Sequence, residues 1–201
     1  MIEWGEMIID QISDEYDGYS NPRMKLSRDV KAGKYIRLKR DLYETDPDAP
    51  KTALAQAIYG PSYISFDYAL SFYGIIPEYA RHVTSATLNK HKDKVFKTDF
   101  CNYYYTDVPK RVFHIGVERK SLYDYTYFIA TPEKALCDKF YKVEPRANLE
   151  EFAELFFEDL RIDEDVIDTA DLDLVTEISE QYHSKNVSLF CSFLKKQRGI
   201  A

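Results

Sequence analysis

The chain is short of several things, and each shortage removes a class of protein. Only seven of its 201 residues are glycine and none of the seven cluster, so the sequence holds no glycine loop that could cradle a phosphate. Its three cysteines, Cys101, Cys137 and Cys191, are odd in number and far apart. That fits neither a disulfide framework nor the paired spacing of a zinc site, and they are expected as reduced thiols in or near the core. The four histidines, His82, His91, His114 and His183, include no pair at the i, i+4 spacing of a helical metal site. No serine stands in a nucleophile-elbow sequence. No apolar run approaches the roughly 20 residues of a membrane span, and Glu3, Glu6 and Asp10 make the N-terminus unlike a signal peptide. These absences predict a cytoplasmic binding protein: not an enzyme, without metal or cofactor, and with no membrane partner.

What is present is a globular composition, 45% hydrophobic and 30% charged, in a chain of net charge −7. One window contradicts that net charge. Between Asn21 and Tyr43 stand eight cations and two anions, a local +6 that leaves −13 for the remainder. A separate cationic surface of this kind points to a polyanion partner.

The order of residues in the window predicts its structure. Asn21 is a good N-cap, Pro22 suits the first helical position, and Gly33 fits the left-handed residue that ends a helix, so a helix of about eleven residues is expected between them. On a 3.6-residue wheel Leu26 and Val30 share an inward side, while Lys25, Arg28 and Lys31 lie outward. Tyr35–Leu38 and Leu42–Glu44 read as strands around a charged tip, Lys39-Arg40-Asp41. Helix, glycine and basic hairpin together look like the recognition helix and wing of a winged helix-turn-helix, which would put the helix in a major groove and the wing on the backbone. The candidate DNA contacts are Arg23, Lys25, Ser27, Arg28, Lys31, Lys34, Arg37, Lys39 and Arg40. The other reading of the same residues is a solvated amphipathic helix and hairpin with no partner.

Upstream, Ile2 to about Ser13 reads as a first helix, with Trp4, Met7, Ile8 and Ile12 as core contacts and an acidic loop at Asp14–Asp17. Little room remains for a further helix before Asn21. Thr45–Pro50 is rich in turn formers. It divides a small DNA-binding domain, residues 1–48, from a larger α+β domain, residues 49–201. In the latter, helices are expected at Thr52–Tyr59 and from Ser65 to Tyr73, closed by Gly74, with Gly60-Pro61 as a break. Val83–Leu88, Val95–Lys97, Phe100–Tyr105, Val112–Val117 and Tyr125–Ile129 are rich in β-branched and aromatic residues and predict one mainly antiparallel sheet. Thr131-Pro132-Glu133 is a strong helix start, running to about Tyr141. Leu149, Phe152, Ala153 and Phe156, then Leu174, Ile178 and Tyr182, then Val187, Phe190, Cys191 and Leu194 have helical spacing and predict C-terminal core helices.

Three of these blocks resemble one family. Tyr59 to Glu78, Tyr-Gly-Pro-Ser-Tyr-Ile-Ser-Phe-Asp-Tyr-Ala-Leu-Ser-Phe-Tyr-Gly-Ile-Ile-Pro-Glu, is similar to the signature of the AbiEi-type antitoxins of type IV toxin–antitoxin (abortive infection) systems. His82–Ser85 resembles the strand that follows it in that family, and Phe128–Asp138 its strand-to-helix junction. Asn21–Gly33 with Ile36–Arg40 resembles its last N-terminal helix and wing, although Asp41 stands where that family often has glycine. The resemblance implies an N-terminal winged helix-turn-helix that binds double-stranded promoter DNA as a transcriptional autorepressor. It also implies an α+β antitoxin domain that opposes a nucleotidyltransferase-like toxin in phage defence, without a stable complex between the two.

Two other chemistries are written loosely in the sequence. Asp107 with Glu118-Arg119-Lys120 has the outline of a metal-dependent nuclease site, in which two carboxylates hold a divalent ion and the lysine stabilises water or phosphate. The run Tyr103-Tyr104-Tyr105 could offer a stacking platform to single-stranded nucleic acid. On a strand its middle residue points opposite to its neighbours, and the acidic domain around it would repel phosphate.

Overall fold

Asn21 caps the first described helix, α1 (Pro22–Lys31), by accepting the Met24 amide on its side-chain oxygen at 3.1 Å. Gly33 follows at φ +78°, the left-handed turn that stops it. The computed structural model describes Glu6–Ile8, Tyr16 and residues 18–200. Most of the helix expected over Ile2–Ser13, with the core roles of Trp4, Met7, Ile8 and Ile12 and the loop Asp14–Asp17, lies outside that description. The part within it differs from expectation: Glu6–Ile8 is a strand, β1, paired antiparallel with β3 (Leu42–Glu44). β3 is central to a three-stranded sheet with β2 (Ile36–Lys39) on its other side, and its demand for a second partner overrides local helical preference.

The two faces of the β2–β3 hairpin pack in different places. Tyr43 joins Tyr16, Leu26, Tyr35 and the half-buried Val30 in a small cluster under α1, whereas Leu38 and Leu42 belong to the main core. Fully burying a leucine contributes about 1.5–3 kcal/mol, so the hairpin is fastened as firmly to the large core as to its own helix.

The large region is α+β. In chain order it comprises α2 (Lys51–Ile58), β4 (Ser62–Ile64), α3 (Phe66–Phe72), β5 (Val83–Leu88), β6 (Lys94–Lys97), β7 (Asn102–Val108), β8 (Val117–Leu122) and β9 (Tyr125–Ala130). These are followed by α4 (Pro132–Lys142), α5 (Leu149–Glu154), α6 (Asp165–Thr169), α7 (Leu172–Tyr182) and α8 (Lys185–Gln197). Its six strands run in the order β6-β7-β5-β4-β9-β8. The sheet is mixed: β6–β7, β5–β4 and β9–β8 are antiparallel, whereas β7–β5 and β4–β9 are parallel.

Two elements depart from the sequence reading. The expected strand Val112–Val117 is instead a 3-10 turn at Lys110–Val112 followed by a bend, and the strand begins only at Val117. Gly116 explains the delay, because it takes φ +65° and a Cβ there would lie 2.9 Å from the Lys134 Cβ. The apolar run buries Val112 and Phe113 without entering the sheet. Conversely, Ser62–Ile64 is a central strand that three residues were too few to announce.

Helix α4 is the axle of the core. Thr131 caps it by accepting the Lys134 amide at 3.3 Å, and Asn186 closes its far end by donating to the carbonyls of Phe140, Val143 and Glu144. Phe140 meets Phe152, Phe156 and Phe190 with ring centroids 4.9, 6.5 and 5.0 Å away, so the C-terminal helical stripes pack as their spacing predicts. Within this apolar setting lies an ion pair, Lys134 Nζ to Asp138 Oδ1 at 2.8 Å, with neither side chain exposed. Tyr63, Ser65 and Tyr182 donate their hydroxyls to the Asp138 carboxylate at 2.9, 2.6 and 2.5 Å. The ammonium has charge contact with the carboxylate but poor hydrogen-bond direction, and it otherwise faces the Tyr182 and Tyr63 rings at 4.9 and 5.7 Å. Burial, reinforced by the adjacent carboxylate, drives the ionisation of Tyr63 and Tyr182 far above the ordinary phenol range.

Candidate nucleic-acid interface

A groove of about 440 Å³ lies between α1 and the hairpin. Arg23, Ser27 and Lys31 line it from the helix, Arg37 and Arg40 from the hairpin, and Leu26, Val30 and Tyr43 form its apolar floor. Arg23, Ser27 and Lys31 are spaced four apart, so they form one stripe along α1. Leu26 and Val30 face inward and Arg28 and Lys31 are exposed, as the wheel predicts, with Lys25 half-buried. The side chain of Arg28 lies along the helix outside the groove, its Nη2 3.6 Å from the Met24 Sδ.

The nine candidate contacts therefore divide. Arg23, Ser27, Lys31, Arg37 and Arg40 converge on the groove. Lys25 turns to Asp29, donating to Oδ1 at 2.5 Å, while Tyr16 donates to Oδ2 at 2.5 Å. These two donors, Lys25 first, hold the Asp29 carboxyl below its usual range, and burial with the Asp29 hydrogen bond drives Tyr16 far above its own. Lys34 lies over the rings of Tyr35 and Tyr16 at 4.8 and 5.8 Å. Lys39 leaves the groove altogether, donating to the carbonyls of Ile58 at 2.6 Å and Ala57 at 3.1 Å. It satisfies the end of α2 with a cation, where helix carbonyls and dipole favour one.

Asp41, the anion of the expected charged tip, belongs to the groove as well. It lines the groove, pairs with Arg40 at 3.2 Å, and holds φ +61°, a conformation usual for glycine. A two-residue tip, Arg40-Asp41, between strands of four and three residues is the signal that announces such a turn.

The other candidate sites are dispersed. Asp107 lies on β7 and Glu118 on β8, four steps apart in the sheet and so about 19 Å across it at the usual strand spacing. Asp107 accepts the amides of Lys90 and His91, each at 3.0 Å, and the Thr87 hydroxyl at 3.1 Å, which pins the turn before β6. These bonds overcome desolvation and hold its carboxyl below the usual range. Glu118 pairs with Lys120 at 3.5 Å. Among the described residues no group of three or more His, Cys, Asp or Glu side chains is placed to hold a metal ion. In the tyrosine run, Tyr103 and Tyr105 are buried and Tyr104 is 38% exposed, as strand alternation requires. The cysteines are free thiols, with Cys137 and Cys191 buried and Cys101 half-buried.

A second cavity of about 350 Å³ brings Asp67, Glu78 and Asp159 together, but each is matched by a cation: Lys139, Arg161 and Arg146. Its charge is thus internally balanced, unlike that of the groove. Among the described residues no helix is long and apolar enough to cross a membrane. No protein-family model matches the chain, and no curated protein sequence matches it as a relative.

Proposed function

We propose that the protein is a DNA-binding antitoxin of the type IV kind, which binds its own promoter through the groove between α1 and the β2–β3 hairpin. In this reading α1 and the hairpin act as the recognition helix and wing of an N-terminal winged helix-turn-helix. The observation that carries the DNA reading is the opposition of Arg23 and Lys31 to Arg37 and Arg40 across one groove, in a chain of net charge −7. Four cations from two elements facing a shared space suit a phosphate backbone better than a solvated surface, where like charges would spread apart.

The antitoxin half rests on the resemblance of Tyr59–Glu78 and Phe128–Asp138 to AbiEi-type antitoxins. Those two blocks meet in the core, where Tyr63 and Ser65 of the first donate to Asp138 of the second. Part of their residue pattern is thus tied to folding the large domain. The expected partner in function is a nucleotidyltransferase-like toxin, opposed in the cytoplasm without a stable complex.

The test is co-expression with the nucleotidyltransferase-like product of a neighbouring reading frame, alongside a gel shift on the DNA upstream of the pair. Rescue of growth and retention of the promoter fragment are expected. The Arg37→Gln/Arg40→Gln variant should lose promoter binding while keeping rescue. Loss of neither, or failure of the wild type in both assays, contradicts the reading.

A further inference from the structure

A second basic segment lies in the large domain. Residues 90–97, Lys-His-Lys-Asp-Lys-Val-Phe-Lys, hold four lysines and one aspartate, a local +3. Together with the +6 window this leaves −16 for the rest of the chain, so nearly all the uncompensated positive charge is confined to two stretches far apart in sequence.

The fold brings the two stretches together. β6 is an edge strand, bonded only to β7 within its sheet, and it lies within 8 Å of β2. The link can be traced atom by atom. Lys39 of the hairpin donates to Ile58 O, and the next residue, Tyr59, meets Phe96 of β6 with ring centroids 5.6 Å apart and carries the Lys90 ammonium over its ring at 4.8 Å. Lys92, Lys94 and Lys97 are exposed, and the one anion of the segment, Asp93, is met by Lys142 at 3.8 Å.

Lysines on an edge strand also serve to discourage pairing with another chain. The opposite edge, β8, shows what that task requires here: Glu118, Arg119 and Lys120 give it a net +1 with an internal ion pair. β6 carries more charge than its counterpart, and carries it beside the basic hairpin.

We propose that the DNA-binding surface extends across the domain boundary onto β6, where Lys92, Lys94 and Lys97 hold the phosphate backbone of the duplex that flanks the part bound at α1 and the hairpin. The inference rests on the promoter-binding reading. An extended polyanion is the ligand that fits, because these cations are exposed along a strand edge that lies beside the basic hairpin.

The experiment is fluorescence anisotropy of the full-length chain on a duplex of about 30 base pairs from its own upstream DNA, titrated with salt. Three proteins are compared with the wild type: Lys92→Gln/Lys94→Gln/Lys97→Gln, the same three positions changed to arginine, and the groove variant Arg37→Gln/Arg40→Gln. Loss of three phosphate contacts should flatten the slope of log K against log salt by about 2 to 3 and lower affinity at 0.1 M salt by about two orders of magnitude. The arginine triple should keep the wild-type slope. A glutamine triple with wild-type slope and affinity, while the groove variant loses binding, overturns the extension and leaves the groove reading standing. A wild type without affinity for the duplex overturns both.

Discussion

The ammonium of Lys39, at the tip of the basic hairpin, donates to the carbonyl of Ile58 at 2.6 Å, tying that hairpin to the end of a helix in the large domain. A lysine at that position in a +6 window is a natural phosphate contact. Its geometry makes it a strut instead. Lys39→Met, which keeps the stem and removes the charge-assisted bonds, should lower stability by about 1.5–3 kcal/mol. The salt slope of promoter binding should stay at the wild-type value, because no phosphate contact is lost. A slope flattened by about 1 with unchanged melting temperature would return Lys39 to the DNA surface.

Asp41 carries a second prediction. It holds a left-handed backbone conformation and places a negative charge among the four cations of the groove. Asp41→Gly should raise thermal stability by roughly 0.5–1 kcal/mol and raise promoter affinity severalfold. Asp41→Asn, which tolerates the same backbone, should raise affinity by a similar factor, isolating the charge. Weaker binding in both variants would mean that Asp41 itself contacts the DNA.

How much of this was legible depended on whether the signal was local. Asn21, Pro22 and Gly33 delimit α1 through their own backbone chemistry, and Thr131-Pro132 does the same for α4, so both helices were readable. The phenylalanine stripes were readable because a 3.6 period can be seen within one helix. The partition of the cations was not. Lys39 is diverted to the end of α2 and Lys34 in part to Tyr16, partners that only the folded chain brings near, whereas Lys25 is diverted to Asp29 four residues on, a local pair that the charge count did not weigh. The mixed sheet was hidden for the same reason: Ser62–Ile64 is recognisable as a strand only from β5 and β9 on either side of it.

The buried ion pair gives a third prediction. Asp138→Asn leaves Lys134 charged, wholly buried and without its counterion, a change that typically costs about 3–5 kcal/mol. In a domain of this size the melting temperature should fall by roughly 10 °C. Replacing the pair together, Lys134→Met/Asp138→Leu, should recover much of that loss, since a packed apolar pair removes the stranded charge. A single variant with the wild-type melting temperature would contradict the assignment of this pair to the core.

Acid should weaken the small domain through Asp29. The folded Asp29 carboxyl ionises below its usual range, chiefly through the Lys25 hydrogen bond and then that of Tyr16. Its contribution is therefore present in full above the unfolded value of about 3.9 and is lost as pH falls through the lower folded value. The melting difference between wild type and Asp29→Asn should be constant near pH 6 and shrink below about pH 4. A difference undiminished at pH 3 would show that the two hydrogen bonds do not depend on the ionised carboxylate.

The central claim is that the groove between α1 and the hairpin holds DNA, and the salt dependence of promoter binding measures it most directly. Four groove cations on four phosphates contribute a slope of about −3.6 in log K against log salt. Wild-type protein should show at least that slope on its own upstream duplex, and Arg23→Gln/Lys31→Gln/Arg37→Gln/Arg40→Gln should lose about that amount while remaining folded. Affinity and slope unchanged in the quadruple variant would place the DNA, if bound at all, on another surface.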